Sequence, residues 1–273
     1  PEVITRLREV ELAIPDPWTD EIRQLFIELL LVGHDAIPVF ETLDQLDLFV
    51  PFLPEWKPAR SRPQRNAYHR FTVDRHLLET AAEASKLVDR VERPDLLVVG
   101  ALLHDIGKPY PGDHTEVGVE LIKTIGTRMG FNKADIRTLI GMCEHHLLLP
   151  DIATRRDLDD FDTIQTVGNF LTTVESVRLL HALTEADSIA TGPAAWSTWK
   201  AGLVQDLANR TSSYLEGGAG SIIERTFPTP EQLQMMRRGM MKVEGNTDRL
   251  TIMEIDRPAV FGRVAGALSL CGL

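Results

Sequence analysis

Cysteine is scarce in this chain of 273 residues: there are two, Cys143 and Cys271, far apart in sequence. That excludes a disulfide framework and a cysteine-based zinc site, and it fits a reduced, cytoplasmic setting. Positive charge is also short. Lys and Arg number 29 against 40 Asp and Glu, giving a net charge of -11. A nucleic-acid surface needs a basic stripe to meet phosphates, so none is expected. Long hydrophobic runs are missing too. The longest, Leu96 to Leu103, is far too short to span a bilayer, so no membrane segment is expected. The first residues, Pro1 to Glu11, are charged and have no signal-peptide core.

What remains is ordinary for a globular protein: 43% hydrophobic residues and 25% charged. The apolar periodicity is helical over most of the chain. Helices are expected at Asp20–Val32 and near Val39–Phe49, followed by a loop broken by Pro51, Pro54, Pro58 and Pro63. Further helices are expected at Thr72–Val91, Asp95–Ile106 and from Asp113 to about Met129, the last with a capping box at Asp113 and Glu116. Others follow at Lys133–Leu148, Thr163–Val174 and Glu175–Ala190. A last one starts after Pro193, with Trp196, Trp199, Leu203 and Leu207 as its apolar stripe. Glu216 to Ser221 reads as a flexible linker. Beyond it the pattern turns β-like at Arg249–Ile255, then helical from Asp256 through Leu270. The expected fold is therefore all-α, a helical bundle followed by the first strand and helix of an α+β module. The expected divisions are an N-terminal helical segment with the proline-rich loop (1–68), the main helical domain (69–215), a linker with a short helix (216–248) and the incomplete start of the second module (249–273).

The chemistry concentrates in histidine and aspartate. His104-Asp105 ends a helix that is apolar nearly all round. A carboxylate there needs a cation or several hydrogen bonds, and a divalent metal supplies both. Lys108 follows His104 by four residues, one turn on over the same face, where its ammonium could hold a phosphate. His76, His114, the pair His145-His146 and Asp187 add one site each from further helices. Within the pair, helical geometry favours His146, which borders the stripe of Ile136, Leu139, Ile140, Cys143 and Leu147. Nitrogen and oxygen ligands without thiolates suit Mn²⁺, Fe²⁺, Mg²⁺ or Zn²⁺. Two ions about 3.5–4 Å apart would suit displacement of a phosphate ester. Arg155 and Arg156, just past the histidine pair, are candidates to fork a phosphate oxygen.

The order His76, His104-Asp105, Asp187 resembles the signature of the HD phosphohydrolase superfamily. Longer strings resemble the bifunctional PII uridylyltransferase/uridylyl-removing enzymes. They are Arg65-Asn-Ala-Tyr-His-Arg-Phe-Thr-Val-Asp-Arg-His76, Leu103-His-Asp-Ile-Gly-Lys108 and Gly112-Asp-His-Thr-Glu-Val-Gly118. They continue with His145-His-Leu-Leu-Leu-Pro-Asp-Ile-Ala-Thr-Arg-Arg-Asp157, Leu183-Thr-Glu-Ala-Asp187 and Gly192-Pro-Ala-Ala-Trp-Ser-Thr-Trp-Lys200. The resemblance implies metal-dependent removal of UMP, or AMP, from a modified tyrosine of the signalling protein PII. It implies one ion on His76, His104, Asp105 and Asp187. A second would sit on His114 and His145/His146, with Asp105 bridging. Lys108 and Asp105 would act in catalysis, and Arg155 and Arg156 in substrate binding. A protein substrate would be gripped by the loop Leu149–Asp160, which bears those arginines, and by the proline-rich segment Pro51–Arg65. Residues 249–273 would open an ACT-like domain, a module that senses glutamine in that family. The chain then resembles the central part of a larger enzyme. The competing expectations are hydrolysis of free nucleotides at the same metal site, and a catalytically silent regulatory module.

Overall fold

The computed structural model describes residues 13–64, 68–217, 230–239, 241–245, 250–255 and 257–271. The chain divides into two compact units, residues 1–222 and 223–273. The first is all-helical: α1 (Asp20–Leu31), α2 (Ile37–Gln45), α3 (Val73–Ala84), α4 (Pro94–Leu103) and α5 (His114–Arg128). Then come α6 (Lys133–Glu144), α7 (Leu148–Arg155), α8 (Phe161–Leu171), α9 (Val174–Thr191) and α10 (Thr198–Leu215).

Helix α4 is the axis of this unit. Leu96, Leu97, Val98, Val99, Ala101, Leu102 and Leu103 are all buried. An all-round apolar helix demands neighbours on every side, and α1, α3, α6 and α9 supply them. Helix α3 also packs along α9, and α5 along α6. The N-terminal segment joins the same core through an aromatic chain. Phe49 meets Trp56 at 5.1 Å and Phe40 at 5.4 Å, edge to face. Arg128 at the end of α5 forks Glu55, at 2.7 and 2.8 Å.

Several elements depart from the sequence reading, each for a local reason. The expected helix Thr72–Val91 changes to a 3₁₀ turn at Ser85–Arg90, where the Ser85 hydroxyl donates back to the Ala82 carbonyl. The helix expected to reach Ile106 ends at Leu103, so His104 caps it and Asp105 lies in the following turn. The helix expected to reach Leu148 ends at Glu144. The stretch beyond it is helix α7 rather than a loop, with Leu149, Ile152 and Ala153 as its buried face. Pro54–Ala59 forms a 3₁₀ helix within the proline-rich segment. Trp199, expected in the core stripe of α10, is 67% exposed, whereas Leu207 is buried as expected, with Val204 beside it.

The second unit contains α11 (Pro230–Arg237), strands β1 (Lys242–Gly245) and β2 (Leu250–Met253), and α12 (Val260–Leu270). The strands pair antiparallel, Lys242 opposite Met253 and Gly245 opposite Leu250. Strand β1 falls in the stretch expected to be linker. Its four residues carry a single apolar side chain, Val243, too few to register as alternation. Of the expected linker 216–248, residues 218–229, 240 and 246–248 lie outside the described residues, as do Arg249 and Asp256 at the starts of the expected strand and helix. Helix α12 has no buried residue, and Cys271 caps it. No helix among the described residues is long and apolar enough to cross a membrane.

Candidate metal centre

Three helices and two turns aim their polar side chains at one point. His76 comes from the middle of α3 and Asp187 from α9. His104 and Asp105 come from the turn after α4, His114 from the first residue of α5, and His146 from the turn after α6. Glycine lets these turns approach. A Cβ on Gly107 would fall 2.0 Å from the carbonyl oxygen of His114, and one on Gly118 would fall 2.8 Å from Cys143 Sγ. Cys143 in turn donates its thiol to the His104 carbonyl at 3.3 Å. Burial, helped by nearby Asp105, pushes that thiol up to about 12.

Asp105 is the shared element. Its Oδ2 lies 3.2 Å from His104 Nε2 and 3.8 Å from His76 Nε2. Its Oδ1 lies 3.7 Å from His146 Nε2 and 3.9 Å from His114 Nε2. One carboxylate thus faces two groups of donors with two different oxygens. Asp187 Oδ1 closes the first group, 3.0 Å from His76 Nε2 and 3.5 Å from His104 Nε2.

The chemistry of this donor set can be tested against a divalent ion. His104 Nδ1 lies 2.8 Å from the Ala101 carbonyl, and His146 Nδ1 lies 2.7 Å from the Cys143 carbonyl. A carbonyl only accepts, so Nδ1 carries the hydrogen in both rings. The inward Nε2 of a neutral ring is then a lone pair, the arrangement that metal-ligating histidines use. Buried His76 Nε2, His104 Nε2 and Asp105 Oδ1 have no hydrogen-bond partner, although other polar atoms lie close. Such atoms are costly to bury unless something satisfies them together. The donor atoms of His76, His104 and Asp105, and those of Asp105, His114 and His146, lie within 4.8 Å of one another in each group. The residues fit a divalent cation, or a pair of them.

The electrostatics agree. Burial works against a charge on His104, but Asp105 and Asp187 overrule it and raise its pKa to about 10. Burial likewise opposes the charge of Asp105 and Asp187, yet the neighbouring histidines hold both well below the usual carboxylate range. Burial lowers His146. The pocket therefore favours positive charge at its centre.

A family comparison decides the class, because the HD domain family matches residues 73–192. Those residues are an HD domain. The HD domain spans α3 to the end of α9 and contains every residue of the cluster. Curated relatives carry the comparison further along the chain. A bifunctional uridylyltransferase/uridylyl-removing enzyme of Streptomyces coelicolor is 47% identical over 84% of this chain and 27% of its own length. One from Mycobacterium tuberculosis is 42% identical over 95% of this chain and 33% of its own. One from Ruegeria pomeroyi is 32% identical over 92% of this chain and 35% of its own. The chain thus spans about a third or less of the relatives it matches. HD-domain membership and these names support a phosphohydrolase role.

Other candidates sit differently around the HD centre. The ring of His145 stacks at a tilt on Phe170, 5.2 Å away, and faces a second cavity rather than Asp105. Arg155 and Arg156 end α7 on its outer side. The Arg155 side chain is 75% exposed and pairs with Asp151 at 3.5 Å. Neither arginine lines the cavity above the centre, a space of about 530 Å³. Lys108 does line it, and its ammonium contacts Asp105 Oδ2 at 2.5 Å. It also donates to Gln64 Oε1 at 3.0 Å and approaches His69 Nε2 at 3.1 Å. Arg62, Gln64 and His69 line the same cavity. The first two fall in the segment Pro51–Arg65 expected to grip a substrate, although neither was singled out within it, and His69 was given no role. His69 stacks on His76 at 5.0 Å. Burial lowers its pKa to about 4, with the Lys108 and His76 charges adding to the effect. A histidine four residues before the helix that carries His76 was the available signal.

Proposed function

We propose that this HD centre hydrolyses a phosphodiester that joins UMP, or AMP, to a tyrosine of the signalling protein PII. The observation that carries the hydrolytic part is Asp105, whose two oxygens face separate groups of histidines. Resemblance to the uridylyl-removing relatives supports the substrate. His76, His104, Asp105 and Asp187 would hold one divalent ion. Asp105, His114 and His146 would hold a second, with His145 a weaker candidate because of where its ring points.

Divalent ions in such a site supply Lewis acidity toward a phosphoryl oxygen and make a nearby water more acidic. The protein does the rest. The Ala101 and Cys143 carbonyls fix which nitrogen of His104 and His146 faces inward. The wall of Leu102, Leu103 and Ile106 behind the cluster keeps water from its back side. Lys108, a half-buried ammonium on the cavity side of Asp105, stabilises negative charge growing on the phosphoryl group. Strand β2 followed by α12 is the support for reading residues 249–273 as the opening of an ACT-like module, with glutamine as its ligand class.

The experiment is turnover, with manganese present, on nucleotidylated PII and on free nucleotides in parallel. Release of UMP or AMP from the modified protein, at a kcat/KM well above that for free nucleotides, is the expected result. Equal or better turnover of free nucleotides would replace PII with a small-molecule substrate. No turnover of either, by protein shown to contain metal, would leave a regulatory module.

A further inference from the structure

Several arginines of the helical unit already have carboxylate partners. Arg60 lies 2.7 Å from Asp44 and 2.6 Å from Asp47. Arg75 is paired with Glu41 and Glu79, and Arg128 with Glu55. Arg62 makes no ion pair among the described residues, in a chain of net charge -11. It lines the cavity into which Asp105, Lys108 and Asp187 open.

Its backbone is held in place at every step. The clamped Arg60 precedes it. Ser61 has φ 50, the left-handed region that a residue with a side chain seldom enters. Its amide donates to Asp74 Oδ2 at 2.7 Å, which holds the kink. The Arg62 carbonyl accepts from the Val73 amide at 2.8 Å, and Val73 opens the helix that carries His76. Pro63 then confines Arg62 to extended conformations. Gln64 closes the strap by accepting from Lys108. Strained backbone of this kind persists where the surroundings over-determine it, commonly at ligand clamps. Here the determined product is one unpartnered guanidinium at the rim of a cavity above a cation-favouring floor. A planar fork of donors suits phosphate oxygens.

We propose that Arg62 is a phosphate-recognition residue of this centre, forking the non-bridging oxygens of a phosphate mono- or diester. The inference rests on the phosphoryl substrate class proposed above and not on PII. It assigns to the 60–64 strap the role that the sequence alone suggested for Arg155 and Arg156.

The test is calorimetric titration of the manganese-loaded chain with inorganic phosphate, UMP and uridine. Parent, Arg62→Ala and Arg62→Lys are compared, with manganese content measured for each. Arg62→Ala should weaken phosphate and UMP binding roughly ten- to a hundred-fold, the scale of a charge-assisted contact. Arg62→Lys should fall between the two, because it keeps the charge and loses the fork. Uridine should bind no differently, and manganese content should be equal in all three. Phosphate affinity of Arg62→Ala within about two-fold of the parent would overturn the assignment, as would loss of manganese in that variant. So would a manganese-loaded parent with no measurable phosphate binding. Arg62-dependent phosphate binding without turnover of nucleotidylated PII would sink the substrate named above and leave Arg62 assigned.

Discussion

The floor and the rim of the HD cavity are built on opposite plans. On the floor, His76, His104 and Asp105 are 1%, 1% and 2% exposed. Their second atoms are fixed by backbone or by packing, and their inward atoms lack hydrogen-bond partners. On the rim, Lys108, Gln64 and His69 are partly exposed and contact one another. The floor is thus complete only with something that none of its own side chains provides. Lys108 must trade its contacts with Gln64 and His69 when a substrate arrives, whereas Arg62 on the same rim has no ion pair among the described residues to give up. The difference teaches which residues should govern ion binding and which should govern what happens on top of it.

The sharpest way to break this division is at Asp105. Asp105→Ala removes the one side chain common to both donor groups, so it should lose metal at both. His114→Ala should cost only the second group and leave the first ion bound. Elemental analysis of the two variants decides, with a loss of about a hundred-fold or more in affinity expected for Asp105→Ala. Equal retention in both would mean that Asp105 is not shared.

A smaller and different effect is expected at Lys108, which touches the floor from the rim. Lys108→Ala should retain its metal and lower kcat by roughly ten- to a thousand-fold, the range for removing one donor to developing charge. Steady-state kinetics beside metal analysis would show it. Loss of metal together with activity would move Lys108 to the floor and blur the distinction. The smallest effect belongs to Arg155→Ala combined with Arg156→Ala. Both lie outside the cavity, so hydrolysis of a small aryl phosphodiester should stay within about two-fold of the parent. A large loss on that substrate would extend the rim to α7.

Much of this was legible in the sequence, and for physical reasons. Helical periodicity located nearly all the helices of the first unit. The unfavourable placement of His104-Asp105 beside an apolar run was enough to mark the floor. The periodicity that separated His146 from His145 chose the inward residue, although the helix it assumed ends before either. Helix ends were the weak point. Termination at Leu103 and at Glu144 is set by the turns that bring the ligands together, and no Gly or Pro punctuates those sites. Of the rim only the segment Pro51–Arg65 was legible; which of its residues reach the cavity depends on Asp74 and Val73, contacts at a distance along the chain. Apolar content alone also misled at two places. Helix α4 is buried from Leu96 to Leu103, whereas α12, also mostly apolar, leaves Phe261 86% and Leu270 92% exposed. Burial depends on what stands opposite, which composition does not encode.

The two cysteines, met first as a scarcity, differ in a way that serves the experimenter. Cys143 is fully enclosed against Gly118, and its thiol is held far from ionisation. Thiolate is the reacting form, so maleimides and iodoacetamides should pass it by at neutral pH. Cys271 is exposed at the end of α12. This chain therefore offers a single address for a fluorophore or spin label, in the second unit and without mutation. A probe there can report on residues 223–273 while the HD centre is titrated with metal undisturbed.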